Sequence, residues 1–152
     1  NQVGTPLENV DPDAWHEIFA VNVDSALYLS QALVPAMKAS GWGRIVTISS
    51  GAGLRPSLTG IHAYTAAKHA LVGLTKQLSL ELAQHGICVN SIAPGFILSN
   101  PASRRQWDAF GADGQAQVMG RIHTRRLGTP EDIAECEASA TGQYLKPLLE
   151  LH

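Results

Sequence analysis

The chain has 152 residues, of which 45% are hydrophobic and 16% are charged, and its formal net charge is −2. This length supports one domain with its own core, and the charge balance argues against a nucleic-acid-binding surface. Its two cysteines, Cys88 and Cys136, fit neither a disulfide framework nor a zinc site, which favours a reducing, cytoplasmic environment. No apolar run approaches the roughly 20 residues that span a bilayer, and no signal peptide is apparent. The first residue is Asn1 and not Met, as expected of a fragment or a trimmed product.

The first predicted element is a long amphipathic helix, which follows a loop over the first ten residues. Asp11 is a typical N-cap, and Pro12 suits the first helical position. Apolar side chains then recur every three or four residues, which predicts a helix to about Ala39 that stops at Gly41.

Two short strands and a second long helix follow in alternation. The β-branched run over 44–50 predicts a buried strand, and the stretch over 51–60 is a loop rich in Gly, Pro and Ser. A helix is expected from about His62 to His85, closed by Gly86. Residues 87–93 predict a second strand that ends before a Pro-Gly pair.

The remaining sequence predicts short, mobile helices over 100–128 and a final helix that begins at Pro130. Helices and strands that alternate in this way indicate an α/β fold with parallel strands. We therefore expect a single domain over 1–152: a truncated, Rossmann-like three-layer unit with few parallel strands and long flanking helices.

Tyr64 and Lys68 form the strongest chemical signal in the sequence. A spacing of four places both side chains on one face of the second helix. A lysine ammonium roughly 5 Å from a phenol stabilises the phenolate by about 3 kcal/mol at an effective dielectric near 20. This brings the phenol closer to acid–base catalysis at neutral pH. On these two residues alone, a surface Tyr–Lys pair without a function is an equally good interpretation.

Two polar residues, Ser50 and Asn22, are positioned in the predicted elements so that they could assist Tyr64 and Lys68. Ser50 ends the first predicted strand, and the carboxyl ends of strands are where open α/β sheets bind ligands. Its hydroxyl could bond the substrate oxygen that exchanges a proton with Tyr64, whereas Ser49 should point the other way; the alternative for Ser50 is a turn cap. Asn22 lies among apolar neighbours and needs hydrogen-bond partners, such as a backbone carbonyl or a water beside Lys68. A satisfied core amide is the alternative for Asn22.

Five segments together point to a known family. In this combination and order they resemble the classical short-chain dehydrogenases/reductases over about residues 1–134. The segments are A-V-N-V (20–23), G-R-I-V-T-I-S-S (43–50), A-Y-T-A-A-K (63–68), G-I-C-V-N-S-I-A-P-G (86–95) and R-R-L-G-T-P-E-D-I-A (125–134).

The resemblance implies a role for each candidate residue. Tyr64 would be the general acid/base, and Lys68 would stabilise its phenolate and contact the ribose of the cofactor. Ser50 would orient the substrate, and Asn22 would be the amide of a proton relay.

The resemblance also implies NAD or NADP as the cofactor. Its nicotinamide end would contact Tyr64 and Lys68, together with a stretch that follows the second strand. That stretch comprises Pro94, Gly95, Phe96, Ile97 and Ser99, the last at a place where the family usually has a threonine.

The phosphate-binding turn of the family, G-x-x-x-G-x-G, is absent from this sequence. The backbone amides of such a turn hold the pyrophosphate, so we expect this chain alone to bind the dinucleotide weakly or not at all. The pair of glycines in Gly51-Ala52-Gly53 is no substitute, because it belongs to the loop after the first strand.

The C-terminal sequence departs from the family as well. After Ala134 the family would continue with an apolar helix and a last strand. Residues 135–149 instead resemble the C-terminal tail of the A subunit of the bacterial excision-repair ATPase, so 135–152 is a possible foreign tail without repair activity. Because 138–149 has almost no β-branched residues, we expect no final strand there.

Three functions follow from these observations. The first is an oxidoreductase of the carbonyl/alcohol type whose nucleotide-binding half is missing. The second is a cofactor-independent ester or glycoside hydrolase that uses Ser50, His62, Tyr64 and Lys68, although no G-x-S-x-G elbow supports it. The third is a catalytically silent fragment.

The predicted partners are a small-molecule substrate and further copies of the chain, with no nucleic acid, no membrane and no metal. Open strand edges recruit other chains, and both long helices are apolar on more than one side, as Leu33 and Leu80 illustrate. We therefore expect a homo-oligomer.

Overall fold

The computed structural model describes residues 4–58 and 60–134, and the chain divides into two compact units, 1–93 and 94–152. The first unit contains the helices α1 (Pro12–Phe19), α2 (Ser25–Ser40) and α3 (His62–Leu82), and the strands β1 (Gly43–Ile48) and β2 (Ile87–Ile92). The second unit contains α4 (Pro101–Ala109), α5 (Gly111–Arg121) and α6 (Pro130–Ala134). The sequence resembling the repair ATPase lies outside the described residues.

The long helix predicted from residue 12 is present but is interrupted in the middle. The carboxylate of Asp11 accepts hydrogen bonds from the amides of Asp13 (3.2 Å) and Ala14 (3.3 Å), as its N-cap position predicts. Residues Ala20–Asp24 then form a π-helical turn between α1 and α2, which sequence periodicity did not indicate. The last turn of α2 ends at Gly41, whose φ of 66° is in the left-handed region that favours glycine.

The continuous helical stretch Pro12–Ser40 has 29 residues and a mean hydropathy of 1.2 over its most apolar window. By length and composition it could therefore cross a membrane, which qualifies the expectation that no segment approaches that length. A core helix of a soluble protein meets the same criterion, so this observation alone assigns no membrane role.

The sheet of the described residues consists of β1 and β2, which pair in parallel from Gly43↔Ile87 to Ile48↔Ile92. Only Gly41 and Trp42 separate α2 from β1, so that α2 runs antiparallel to the strand that follows it. β1 ends earlier than the sequence predicted, although the amide of Ser49 still bonds the carbonyl of Ile92 at 2.7 Å.

The core lies between the helices and one face of this sheet. Leu82, Ile87 and Val89 are buried together, and the partly buried side chains of Val34, Met37, Ile45 and Leu78 pack against them. The hydroxyls of Thr47 and Thr75 share a hydrogen bond of 2.8 Å on the same side, and Thr75 donates another of 2.8 Å to the carbonyl of Leu71, so both are satisfied in the interior.

The opposite face of the sheet is open in the described residues, as the exposed Arg44, Ile48, Cys88 and Asn90 show. The prediction of a truncated, Rossmann-like α/β unit is confirmed, and residues 4–93 supply the sheet and one helical layer of it.

The second unit has no buried core among its described residues, since none of those with an assigned exposure is buried. The rings of Phe96, Trp107 and Phe110 lie 5.5–6.3 Å apart between their centroids. Arg126 donates two hydrogen bonds of 2.6 Å to the carboxylate of Asp132. These bonds, and one from the amide of Thr129, hold the pKa of Asp132 well below its usual range. The predicted short helices are confirmed, whereas their mobility stays a prediction.

Candidate active site at the end of strand β1

Lys68 is the only cation buried in the described residues, with 9% of its surface exposed. It lies on the inner face of α3, and its Nζ donates a hydrogen bond of 2.7 Å to the carbonyl oxygen of Ile48, the last residue of β1. Desolvation by burial lowers the pKa of this ammonium from its ordinary value of 10.5. The lysine therefore joins the helix to the end of the strand at the carboxyl edge of the sheet.

Tyr64 lies one helical turn before Lys68 and is half-buried. The Nζ of Lys68 is 5.5 Å from the centroid of the Tyr64 ring. At this distance a cation interacts favourably with the π electrons of the ring, and more strongly with a phenolate charge. The structure thus brings together the two residues that the sequence placed on one helical face.

The two serines at the end of β1 point to different partners, as strand alternation predicted. The buried Ser49 donates a hydrogen bond of 3.1 Å to the backbone carbonyl of Lys68. The Oγ of Ser50 accepts one of 3.2 Å from the amide of Ala52 and caps the short 3₁₀ helix Gly51–Gly53. Among the described residues no acceptor takes the hydroxyl proton of Ser50, which leaves it available to an exogenous oxygen.

Asn22 lies in the π-helical turn, and its Nδ2 donates a hydrogen bond of 2.8 Å to the carbonyl of Ile18 in the same helix. It lines the same cavity of about 400 Å³ as Lys68. The side-chain amide therefore satisfies a backbone carbonyl, and the described contacts include no direct bond from Asn22 to Lys68.

The residues expected at the nicotinamide belong to the second unit. Ile97 forms a parallel bridge with Gly128, and Phe96 contributes to the aromatic cluster with Trp107. The Oγ of Ser99 accepts a hydrogen bond of 3.4 Å from the side chain of Asn100. Pro94 and Gly95 lead from the end of β2 into this segment. The contact of this stretch with a nicotinamide stays a prediction.

Sequence reasoning missed Gly53 as part of the site. A Cβ at this position would lie 2.6 Å from the Oγ of Ser49 and 2.7 Å from the carbonyl oxygen of Lys68, which is too close for any side chain. The loop, the strand end and α3 therefore meet at Gly53 without space between them. No local pattern in the sequence signals such a contact, because it joins residues 15 positions apart.

The same contact bears on the fit of a dinucleotide. The turn Gly51–Gly53 is closed by its own hydrogen bonds, and Ala52 and Gly53 are buried, so its backbone does not form an open cradle for a pyrophosphate. The described site could therefore fit only the ribose and nicotinamide end of a dinucleotide, and the contact of Tyr64 and Lys68 with that end stays a prediction. No cluster of three or more His, Cys, Asp or Glu side chains suited to a metal occurs among the described residues.

Comparison with known proteins identifies the lineage of this site. The chain is 35% identical over 141 residues to D-beta-hydroxybutyrate dehydrogenase of Rhizobium meliloti, covering 91% of this chain and 54% of that protein. A solved chain from Beutenbergia cavernae with bound NADP is 34% identical, with a TM-score of 0.80 and coverage of 95% of this chain and 54% of that one. A gluconate 5-dehydrogenase from Burkholderia cenocepacia, in complex with NADP and tartrate, is 31% identical, with a TM-score of 0.75 and coverage of 84% and 49%.

The chain spans about half the length of the curated relatives it matches. The sequence profile of the short chain dehydrogenases matches residues 1–109, which include β1, α3, β2 and all four candidate catalytic residues. The chain therefore belongs to the short-chain dehydrogenase family.

Proposed function

We propose that this chain is the catalytic part of an oxidoreductase that transfers a hydride between NAD or NADP and a carbonyl/alcohol substrate. The observation that carries this proposal is the buried ammonium of Lys68 beside the ring of Tyr64, bonded to the end of β1. The nucleotide-binding half would lie in the part of the relatives' length that this sequence does not span.

In the proposed reaction Tyr64 exchanges a proton with the substrate oxygen. In the reducing direction the phenol gives its proton to the oxygen as the carbonyl carbon is reduced, and in the oxidising direction the phenolate removes the alcohol proton. The cofactor supplies or accepts the hydride. Lys68 stabilises the phenolate electrostatically in both directions, because its ammonium is buried 5.5 Å from the ring.

Ser50 and Asn22 have supporting roles in this proposal. The hydroxyl proton of Ser50 has no acceptor among the described residues and is free to orient the substrate oxygen. Asn22 keeps the π-helical turn bonded beside the cavity that Lys68 lines, which is where a proton relay through water would pass.

The names of the relatives favour a small, polar hydroxy or keto compound as the substrate, since they include hydroxybutyrate and gluconate dehydrogenases. We also propose that the protein is cytoplasmic and homo-oligomeric. Tyr28 is 63% exposed and Leu80 is 78% exposed, on different helices, which suits surfaces that meet another copy. Light scattering at micromolar concentration should find a dimer or larger species, and a monodisperse monomer would refute this part.

Binding of the cofactor by the isolated chain should be weak. Three lost charge-assisted hydrogen bonds to a pyrophosphate, each worth about 1.5–3 kcal/mol, weaken affinity by roughly three to six decades. Calorimetric titration with NADH and NADPH should therefore find no Kd below about 0.1 mM. Micromolar binding would overturn this expectation and show that the chain holds a complete cofactor site.

The catalytic assignment is tested by Tyr64→Phe, with Tyr28→Phe as the matched control at an exposed tyrosine that does not line the cavity beside Lys68. A broad screen of carbonyl, ester and glycoside substrates is run with and without added cofactor. Reduction of a carbonyl substrate by the isolated chain should require NADH or NADPH at millimolar concentration, because binding is weak, and should disappear in Tyr64→Phe but not in Tyr28→Phe. An active Tyr64→Phe variant would show that catalysis does not depend on Tyr64. The absence of any turnover would support the catalytically silent fragment instead.

The hydrolase alternative has no specific support in the described contacts. The Oγ of Ser50 accepts a hydrogen bond from the backbone amide of Ala52, and the Nζ of Lys68 donates to the carbonyl of Ile48. Among these contacts no side chain accepts the proton of Ser50 as a base would. A second function is therefore not proposed.

A further inference from the structure

Lys68 is bonded to the end of β1 at two points. The hydroxyl of Ser49 donates a hydrogen bond of 3.1 Å to the backbone carbonyl of Lys68, and the Nζ of Lys68 donates one of 2.7 Å to the carbonyl of Ile48. The amide of Ser49 in turn donates to the carbonyl of Ile92 at 2.7 Å, which ties this place to the neighbouring strand. Both the backbone and the ammonium of Lys68 are therefore held by two consecutive residues of β1 and its end.

The hydrogen bond from Ser49 to Lys68 is closed off from water. Ser49 is 4% exposed and Lys68 is 9% exposed. A Cβ on Gly53 would lie 2.6 Å from the Oγ of Ser49 and 2.7 Å from the carbonyl oxygen of Lys68, so the backbone of Gly53 covers the bond. Because no water can replace a buried partner, the loss of such a bond is more costly than the loss of one at the surface.

The carbonyl of Lys68 does not require Ser49 for its own hydrogen bonding. In an α-helix each carbonyl accepts a bond from the amide four residues later, and Lys68 lies inside α3. An alanine at position 49 would leave that helical bond in place and would bring no polar group that needs a partner. What the serine adds is thus a connection between the strand and the helix.

A second pair of hydroxyls joins the same two elements further along. Thr47 and Thr75 share a hydrogen bond of 2.8 Å, and Thr47 lies on the same face of β1 as Ser49, which is two residues later. Thr75 follows Lys68 by about two helical turns, or roughly 10 Å. With the threonine pair alone, α3 would be attached at one point and its first turns would be free to rotate about it. Ser49 supplies a second attachment close to Tyr64.

We propose that Ser49 is a positioning residue that places the ammonium of Lys68 beside the ring of Tyr64 through contacts within the protein alone. The carbonyl of Ile48 uses one N–H of the ammonium, which leaves two donors for other acceptors. The rotamer freedom of the lysine is then lost on folding and not during the reaction. The use of this placement in catalysis rests on the proposed function, whereas the placement itself does not.

The test measures hydrogen exchange of the lysine ammonium protons by proton–nitrogen NMR on the whole 152-residue chain, without substrate or cofactor. The signal of Lys68 is identified by its absence in Lys68→Met. In the unchanged chain this ammonium should exchange more slowly than those of the exposed Lys38 and Lys76, because it is buried and bonded. Exchange as fast as that of Lys38 would overturn the proposal whatever the variants show.

Two variants separate positioning from a structural role. Ser49→Ala should speed the exchange of Lys68 about two- to tenfold, the range that corresponds to the loss of one hydrogen bond. The matched control is Thr75→Val, which removes a buried hydroxyl between α3 and β1 and keeps the branched shape of the side chain. Both variants should lower the melting temperature, but only Ser49→Ala should change the exchange of Lys68. Unchanged exchange in Ser49→Ala, or the same acceleration in both variants, would overturn the proposal.

A second pair of variants tests the same bond from the side of the loop. Gly53→Ala pushes a methyl group against the Oγ of Ser49 and the carbonyl of Lys68, and should also speed the exchange of the ammonium. Gly73→Ala, where an added Cβ meets nothing within 4 Å, should not. If Ser49→Ala does not fold, this pair decides the matter, since equal exchange in Gly53→Ala and Gly73→Ala would overturn the proposal.

Discussion

Different interactions stabilise each of the two units of the chain. In the first unit, helices cover one face of a parallel sheet, and every residue that is buried among the described residues lies there. In the second unit, order comes from three half-buried aromatic rings, an N-cap at Asn100 and the ion pair of Arg126 with Asp132. The candidate catalytic residues therefore lie on the part of the chain that has a buried core, whereas the described residues of the second unit are ordered by half-buried and exposed contacts.

The largest effect should follow from removing core volume in the first unit. Leu82 is 1% exposed and packs against Ile87 and Val89. Leu82→Ala should lower the free energy of unfolding by about 2–5 kcal/mol, measured by urea denaturation. Gln77→Ala, at an exposed position of the same helix, should change it by less than about 0.5 kcal/mol. Equal losses in the two variants would show that the core is not where the structure has it.

The next effect concerns the contact that fixes the candidate site. Gly53→Ala forces a methyl group to within 2.6 Å of Ser49 and 2.7 Å of Lys68, and should cost about 1–3 kcal/mol of unfolding free energy. The control is Gly73→Ala, on the same helix as Lys68, where an added Cβ meets nothing within 4 Å. That variant should gain roughly 0.5–1 kcal/mol, because alanine favours a helix more than glycine does. A tolerated Gly53→Ala would remove the argument for close packing.

A smaller effect is expected in the second unit. The ring of Trp107 lies 5.5 Å from that of Phe96 and 6.3 Å from that of Phe110, between centroids. Trp107→Ala should cost about 1 kcal/mol, because these aromatic contacts are only half-buried. Hydrogen exchange should quicken in α4 and α5 and stay unchanged in β1 and β2. Faster exchange in the β1–β2 sheet as well as in α4 and α5 would mean that the two units unfold together.

The smallest effect is a dependence of stability on pH that belongs to the first unit. Burial lowers the pKa of Lys68 below 10.5, so between the two values the unfolded chain binds the proton more often than the folded chain does. The free energy of unfolding should therefore rise as the pH increases towards 10.5, by the linkage of proton binding to folding. In Lys68→Met this contribution should be absent, and the rise from neutral pH towards 10.5 should be smaller than in the unchanged chain. Identical pH profiles would show that Lys68 is not desolvated.

The sequence by itself determined the elements of the fold and the principal candidate residues. Apolar periodicity, the N-cap at Asp11 and the helix-terminating glycines Gly41 and Gly86 predicted the helices and strands to within a few residues. They could do so because capping and helix termination are local. The spacing of Tyr64 and Lys68 gave their shared helical face for the same reason, since one turn of helix fixes the neighbours at four residues.

Only the tertiary structure decided the properties that depend on distant parts of the chain. The bond from Lys68 to Ile48 joins residues 20 positions apart, and the close approach at Gly53 joins the strand end to α3. The π-helical turn around Asn22 also escaped prediction, because a helical periodicity tolerates one irregular turn. The burial of Lys68 and the exposure of Leu33 also required the tertiary structure, because each depends on what surrounds the residue in space and not on its neighbours in sequence.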